Sequence, residues 1–140
     1  MKVTLDQLTA TAGWSGPAGS SFTLNQHTDY IAEYLPASLI IHIPANSLGQ
    51  SFTESFAAVD LSSCVEIVMS IWSRELRRVN TNDPADYFYM ITFDGTHQFM
   101  LPTNLTFESV TFGLNGWNSA NQITITPTTN AEDWLSLIHI

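Results

Sequence analysis

Apolar and polar residues alternate with period two along most of this chain, whereas apolar residues at helical spacing (i, i+3, i+4, i+7) occur only as short, broken matches. Leu39-Ile40-Ile41-His42-Ile43 is a β-branched run stopped by Pro44. Val65, Ile67, Met69 and Ile71 alternate with Cys64, Glu66, Val68, Ser70 and Trp72, which leaves both faces fairly apolar. That pattern predicts a central strand, with Val65, Ile67, Met69 and Ile71 in the core and Val68 and Trp72 covered on the other side. Tyr87 to Phe93 is a third run, and Asp94-Gly95 after it predicts a hairpin returning over Thr96 to Leu101. Leu105 to Leu114, Gln122 to Thr126 and Trp134 to Ile140 read as further strands, with Phe52 to Val59 another. Val3 to Leu8, Phe22 to Leu24 and Tyr30 to Tyr34 carry a fainter form of the same signal.

Turn-forming clusters separate these runs at 13–21, 44–50, 80–86, 115–121 and 127–133. Roughly eight short strands between Gly, Pro, Asn and Ser loops define an all-β sandwich or barrel. The clusters at 13–21 and 80–86 are long for hairpins and suit crossings between two sheets. Trp134 to Ile140 is apolar on both faces and lacks the Lys or Pro that blunts an exposed edge. It is therefore expected inside a sheet or beneath a partner.

Charge narrows the functions. Four basic residues (Lys2, Arg74, Arg77, Arg78) stand against 13 acidic ones, for a net charge of −9. Nucleic-acid binding needs several Lys or Arg contacts to phosphate, so no nucleic-acid partner is expected. Anionic membranes are disfavoured by the same field, and no run approaches the roughly 18 apolar residues of a spanning helix. The N-terminus lacks the apolar stretch of a secretion signal. Cys64 is alone and reads as a small apolar residue of a buried strand.

Candidate chemistry is sparse. His27, His42, His97 and His139 include no pair at metal-ligand spacing, and no ordered Asp-x-Asp run suggests calcium. No metal and no cofactor are expected. Glu66 near Trp72 is the one acidic position to inspect for sugar hydrolysis, and a solvated outer face is the simpler account of it. Trp72 and Trp134 lie in apolar strands and read as core. Trp14 and Trp117 lie in Gly, Ser and Asn loops, where a large ring finds little local core, so these two are the interface or ligand candidates.

The stretch Val59-Asp60-Leu61-Ser62-Ser63-Cys64-Val65-Glu66-Ile67-Val68-Met69-Ser70-Ile71-Trp72-Ser73 resembles the middle of galactose-binding-like and carbohydrate-binding-module jelly rolls. The order that follows is also similar: an aromatic strand at 87–93, Leu101-Pro102, the run 107–114, Gly116-Trp117, Ile123-Thr124-Ile125-Thr126 and a strand opened by Asp133-Trp134-Leu135. The likeness spans residues 37–140 and rests on pattern alone. It implies a single two-sheet antiparallel jelly roll over 1–140, with 37–140 as its core and 1–36 as preceding strands and loops. Such domains occur among the virion proteins of tailed bacteriophages. The resemblance thus implies a non-enzymatic structural protein (head decoration, neck or tail) that contacts other virion proteins in a symmetric array of copies. It would be made in the host cytoplasm and reside in the virion. The alternative it implies is a carbohydrate-binding module with a glycan partner.

Overall fold

A computed structural model describes residues 5, 11–25, 38–73, 88–102, 108–114, 116–128 and 133–138. These form ten strands and no helix: β1 (Trp14–Ser15), β2 (Ser21–Asn25), β3 (Ser38–Ile43), β4 (Phe52–Asp60), β5 (Glu66–Ser73), β6 (Phe88–Thr92), β7 (Gln98–Pro102), β8 (Glu108–Gly113), β9 (Ser119–Pro127) and β10 (Asp133–Ile138). The expected elements at 30–34 and in the turn cluster at 80–86 lie outside the described residues, as does all of the run at 3–8 except Leu5.

The strands build two five-stranded sheets, ordered β1-β4-β9-β6-β7 and β2-β3-β10-β5-β8. Every pairing is antiparallel. Only β2–β3 and β6–β7 are consecutive strands paired within one sheet, and every other step crosses between sheets. The strand pattern predicted a sandwich or barrel, and the structure has the two-sheet jelly-roll form that the resemblance implied. Residues before 37 supply one edge strand to each sheet.

Period-two alternation sets the core. On β3, Leu39, Ile41 and Ile43 are fully buried while Ile40 and His42 are half-buried. On β9, Ile123 and Ile125 face inward and Thr124 lies between them on the outer face, its hydroxyl 2.6 Å from that of Thr53 on β4. Phe52 of β4 pairs with Ile125, and Ile91 and Phe93 come in from β6 and its turn. Side chains from the two inner faces interdigitate into one layer, as in sandwiches generally. Phe56 packs against the core only in part, because β4 shifts register between Ser55 and Val59.

β10 lies between β3 and β5, so the last apolar run is internal to its sheet. The β6–β7 hairpin forms at Asp94-Gly95, with Gly95 at a φ of 80°.

β5 departs from expectation. Ile67 and Met69 are buried, but Val65 is 80% exposed and Val68 44% exposed. Val65 precedes the strand, in the turn closed by the Cys64 N–H on the Leu61 carbonyl at 2.9 Å, and so stands at the rim of the sandwich. Val68 faces outward and remains partly wet, as one face of an antiparallel sheet commonly does. The side chains of Ile71 and Trp72 lie outside the described set. Cys64 is half-buried in the same turn, not within a strand.

Candidate functional site

The two tryptophans singled out from sequence have opposite fates. Trp14 is 8% exposed and belongs to the core cluster, its ring 5.8 Å from that of Phe22. The expected surface ring is therefore a core ring: its short strand β1 pairs with β4, opposite Glu54, and turns the indole inward. Its Nε1 is buried with no hydrogen-bond partner among the described residues. Trp117 instead sits half-buried in the β8–β9 loop.

That loop and the β4–β5 turn close one end of the sandwich together. The Leu61 N–H donates to the Asn118 carbonyl at 2.7 Å, and the Leu114 N–H to the Val65 carbonyl at 3.0 Å. Within the loop, the Trp117 N–H donates to the Leu114 carbonyl at 3.1 Å, with Gly116 at a φ of 94°. Between the two segments lies a cavity of about 290 Å³, lined by Leu61, Ser62, Cys64, Val65, Leu114, Gly116, Trp117 and Asn118.

Behind Trp117 stands the β6–β7 hairpin. Phe99 packs at 6.1 Å between ring centroids and continues through Phe112 to Phe93, at 4.9 and 6.0 Å, so Trp117 is anchored to the core. His97 lies parallel to the indole. Its Nδ1 is 2.6 Å from Asp94 Oδ2, while Asp94 Oδ1 accepts the N–H groups of Thr96 and His97 at 2.9 and 2.8 Å. Neither His97 nor Phe99 lines the cavity. Partial burial, the largest influence on Asp94, works to raise its pKa; the hydrogen bonds from His97 and Thr96 and the His97 charge overcome it and hold the carboxyl below its ordinary value.

The arrangement offers an apolar wall with one aromatic ring and the polar side chains of Ser62 and Asn118. Nearby Asp60 is held ionised by the backbone N–H and then the hydroxyl of Ser62. The structure brings together Trp117, Asp94 and His97, of which sequence reading had singled out only Trp117. Asp94-x-x-His97 was visible as a turn, but nothing in one sequence says which loop that turn covers. Glu66 is exposed on the outer face of β5. His42 is half-buried on β3, in register with Trp134 and Ser21, and His27 and His139 lie outside the described residues. Among the described residues no three His, Cys, Asp or Glu side chains cluster as metal ligands, and no helix is long and apolar enough to cross a membrane.

Two packed antiparallel sheets with a loop-built cavity at one end define a jelly-roll β-sandwich. Among solved structures, the chain is similar to the family 11 carbohydrate-binding module of a cellulosomal cellulase of Clostridium thermocellum, with 9% identity and a TM-score of 0.62 over 97% of this chain and 90% of that one. It is more distantly similar to the enzymatically active domain of a tailspike protein of bacteriophage CBA120, with 11% identity and a TM-score of 0.49 over 95% of this chain and 20% of that one. A family 29 carbohydrate-binding module from Piromyces equi aligns at 10% identity and a TM-score of 0.41 over 93% of this chain and 91% of that one. No protein-family model and no curated protein sequence matches the chain. The first likeness establishes a fold like that of carbohydrate-binding modules; at 9% identity it carries nothing finer.

Proposed function

We propose that this chain is a non-catalytic glycan-binding module and that the cavity beside Trp117 is its ligand site. The observation that carries the reading is the cavity itself: a half-buried indole, apolar side chains and two polar side chains meet at the loop end of a sandwich whose fold is that of carbohydrate-binding modules. A sugar ring has the matching surface, with a C–H face that packs on an aromatic and hydroxyls that hydrogen-bond at its edge. No catalytic group is needed for such binding. The test is a glycan array probed with the purified protein and with Trp117→Ala. Binding to a defined set of glycans that the variant loses supports the reading. A protein that binds nothing on the array overturns it.

In a second reading the module meets other proteins, with the outward-facing, exposed Val68 of β5 as the residue to probe. In that case it would serve in a tailed-phage particle as a head, neck or tail component, in many copies. Co-sedimentation with particles, abolished by Val68→Glu, is its expected signature; a protein that stays in the supernatant removes it.

A further inference from the structure

The site is small, flanked by carboxylates and built around one ring, and from this we infer that it takes a single neutral sugar residue, as a chain end or free monosaccharide, and not an internal stretch of polysaccharide. The inference rests on the glycan-binding reading above.

Size comes first. At about 290 Å³ the cavity sits at the foot of the range of small-molecule sites, which runs roughly from 300 to 1,000 Å³. Its walls are residues 61–65 on one side and Leu114 and 116–118 on the other, joined by the Leu61–Asn118 and Leu114–Val65 backbone hydrogen bonds. Parting these walls to make room for a second ring between them would break those bonds, and each N–H left unpaired in a desolvated site carries a penalty.

The ring count points the same way. Trp117 is the one aromatic residue among those lining the cavity, so one sugar face finds a stacking partner. Leu61, Val65 and Leu114 extend that apolar wall, and Ser62 and Asn118 supply donors and acceptors for hydroxyls. An extended chain would need further platforms in line with the first, and the lining among the described residues provides none.

Charge selects within sugars. Among the described residues, those that line the cavity include no cation, whereas Asp60, which accepts the Ser62 N–H at 2.9 Å, stands beside it, and Asp94 holds the His97 ring that stacks on Trp117. Both carboxylates are held ionised, in a chain of net charge −9. A uronate or other acidic sugar would meet the repulsion of these two carboxylates.

The experiment is isothermal titration of the full chain with glucose, galactose, mannose, xylose and glucuronic acid, and with the matching neutral oligosaccharides from dimer to hexamer. Ser62→Trp serves as the blocked control, because Ser62 is exposed in its turn and a ring there fills the cavity without entering the core. The expected result is a neutral monosaccharide whose affinity lies within about tenfold of its own oligomers, and loss of binding in Ser62→Trp. Affinity that climbs by about a hundredfold or more from dimer to hexamer overturns the single-residue inference and leaves the glycan-binding reading standing. Preference for glucuronic acid, or unchanged binding by Ser62→Trp, overturns it as well. Silence toward every sugar overturns the glycan-binding reading itself.

Discussion

The imidazole of His97 lies flat against the indole of Trp117, with ring centroids 5.2 Å apart and planes 7° from parallel. Asp94 holds the edge of that imidazole through Nδ1, so a carboxylate fixes the ring that stacks on the indole, and the indole in turn lines the cavity. An aromatic pair of this kind is worth about 0.5–1.5 kcal/mol beyond the area it buries. His97→Ala is therefore expected to loosen Trp117 and weaken ligand binding several-fold. His97→Phe keeps a ring on the indole and is expected to restore most of the affinity. Near-UV circular dichroism should show the same ranking. Equal affinity in His97→Ala and the parent would mean that the stack does not position Trp117.

Asp94 makes stability depend on pH in a defined direction. Its carboxyl is held below the ordinary value of 3.8 in the folded chain, so its contribution is present above that value and is lost as pH falls through the folded one. Asp94→Asn is expected to be less stable than the parent at neutral pH, with the difference shrinking at about pH 2.5. Urea unfolding of both proteins at the two pH values measures it. A difference that persists undiminished in acid would show that the charge of Asp94 is not its cause.

Two residues of the β5 region should respond very differently to truncation. Ile67 is 5% exposed and Val65 is 80% exposed. Ile67→Ala is expected to cost about 2–5 kcal/mol through lost burial and the cavity left behind, whereas Val65→Ala should stay within about 0.5 kcal/mol. Comparable losses in denaturant titration would place Val65 in the core after all.

Gly16 is a close-approach glycine in the loop between β1 and β2. A Cβ there would lie 2.8 Å from the Ser20 hydroxyl, 3.0 Å from Phe52 Cδ1 and 3.3 Å from Phe22 Cζ. Phe52 is fully buried and cannot yield freely. Gly16→Ala is expected to destabilise by about 1–3 kcal/mol, the usual penalty of overpacking. A thermal midpoint equal to or above the parent's would refute this.

Much of the sandwich was legible in sequence, and the rest was hidden for identifiable reasons. The Asp94-Gly95 hairpin, β3 and β9 follow from local rules: a turn pair that tolerates positive φ, and β-branched alternation wherever one face is buried. β1 has two residues, Trp14–Ser15, and two residues have no period. Its Gly-rich surroundings therefore read as loop and placed Trp14 on the surface. Alternation put Val65 in the core with Ile67, but it does not say where a sheet ends, and Val65 lies beyond the start of β5. The loop of Trp117 was marked by its composition, whereas its neighbours were not. Ser62 reaches the cavity through the β4–β5 turn, and His97 reaches the indole through the β6–β7 hairpin, so the site exists only once three separate connections meet.

The place of β10 has a consequence for how the chain is made. Without residues 133–138, β3 and β5 have no shared neighbour, and their sheet is two fragments, β2-β3 and β5-β8. A ribosome delivers those fragments well before the strand that joins them, and until it arrives each presents an unpaired backbone edge beside fully apolar positions such as Leu39 and Met69. Closure that waits for a strand made after both of its neighbours, with sheet-to-sheet crossings at nearly every step, predicts slow assembly. Chains cut short before residue 133 should accumulate as insoluble material.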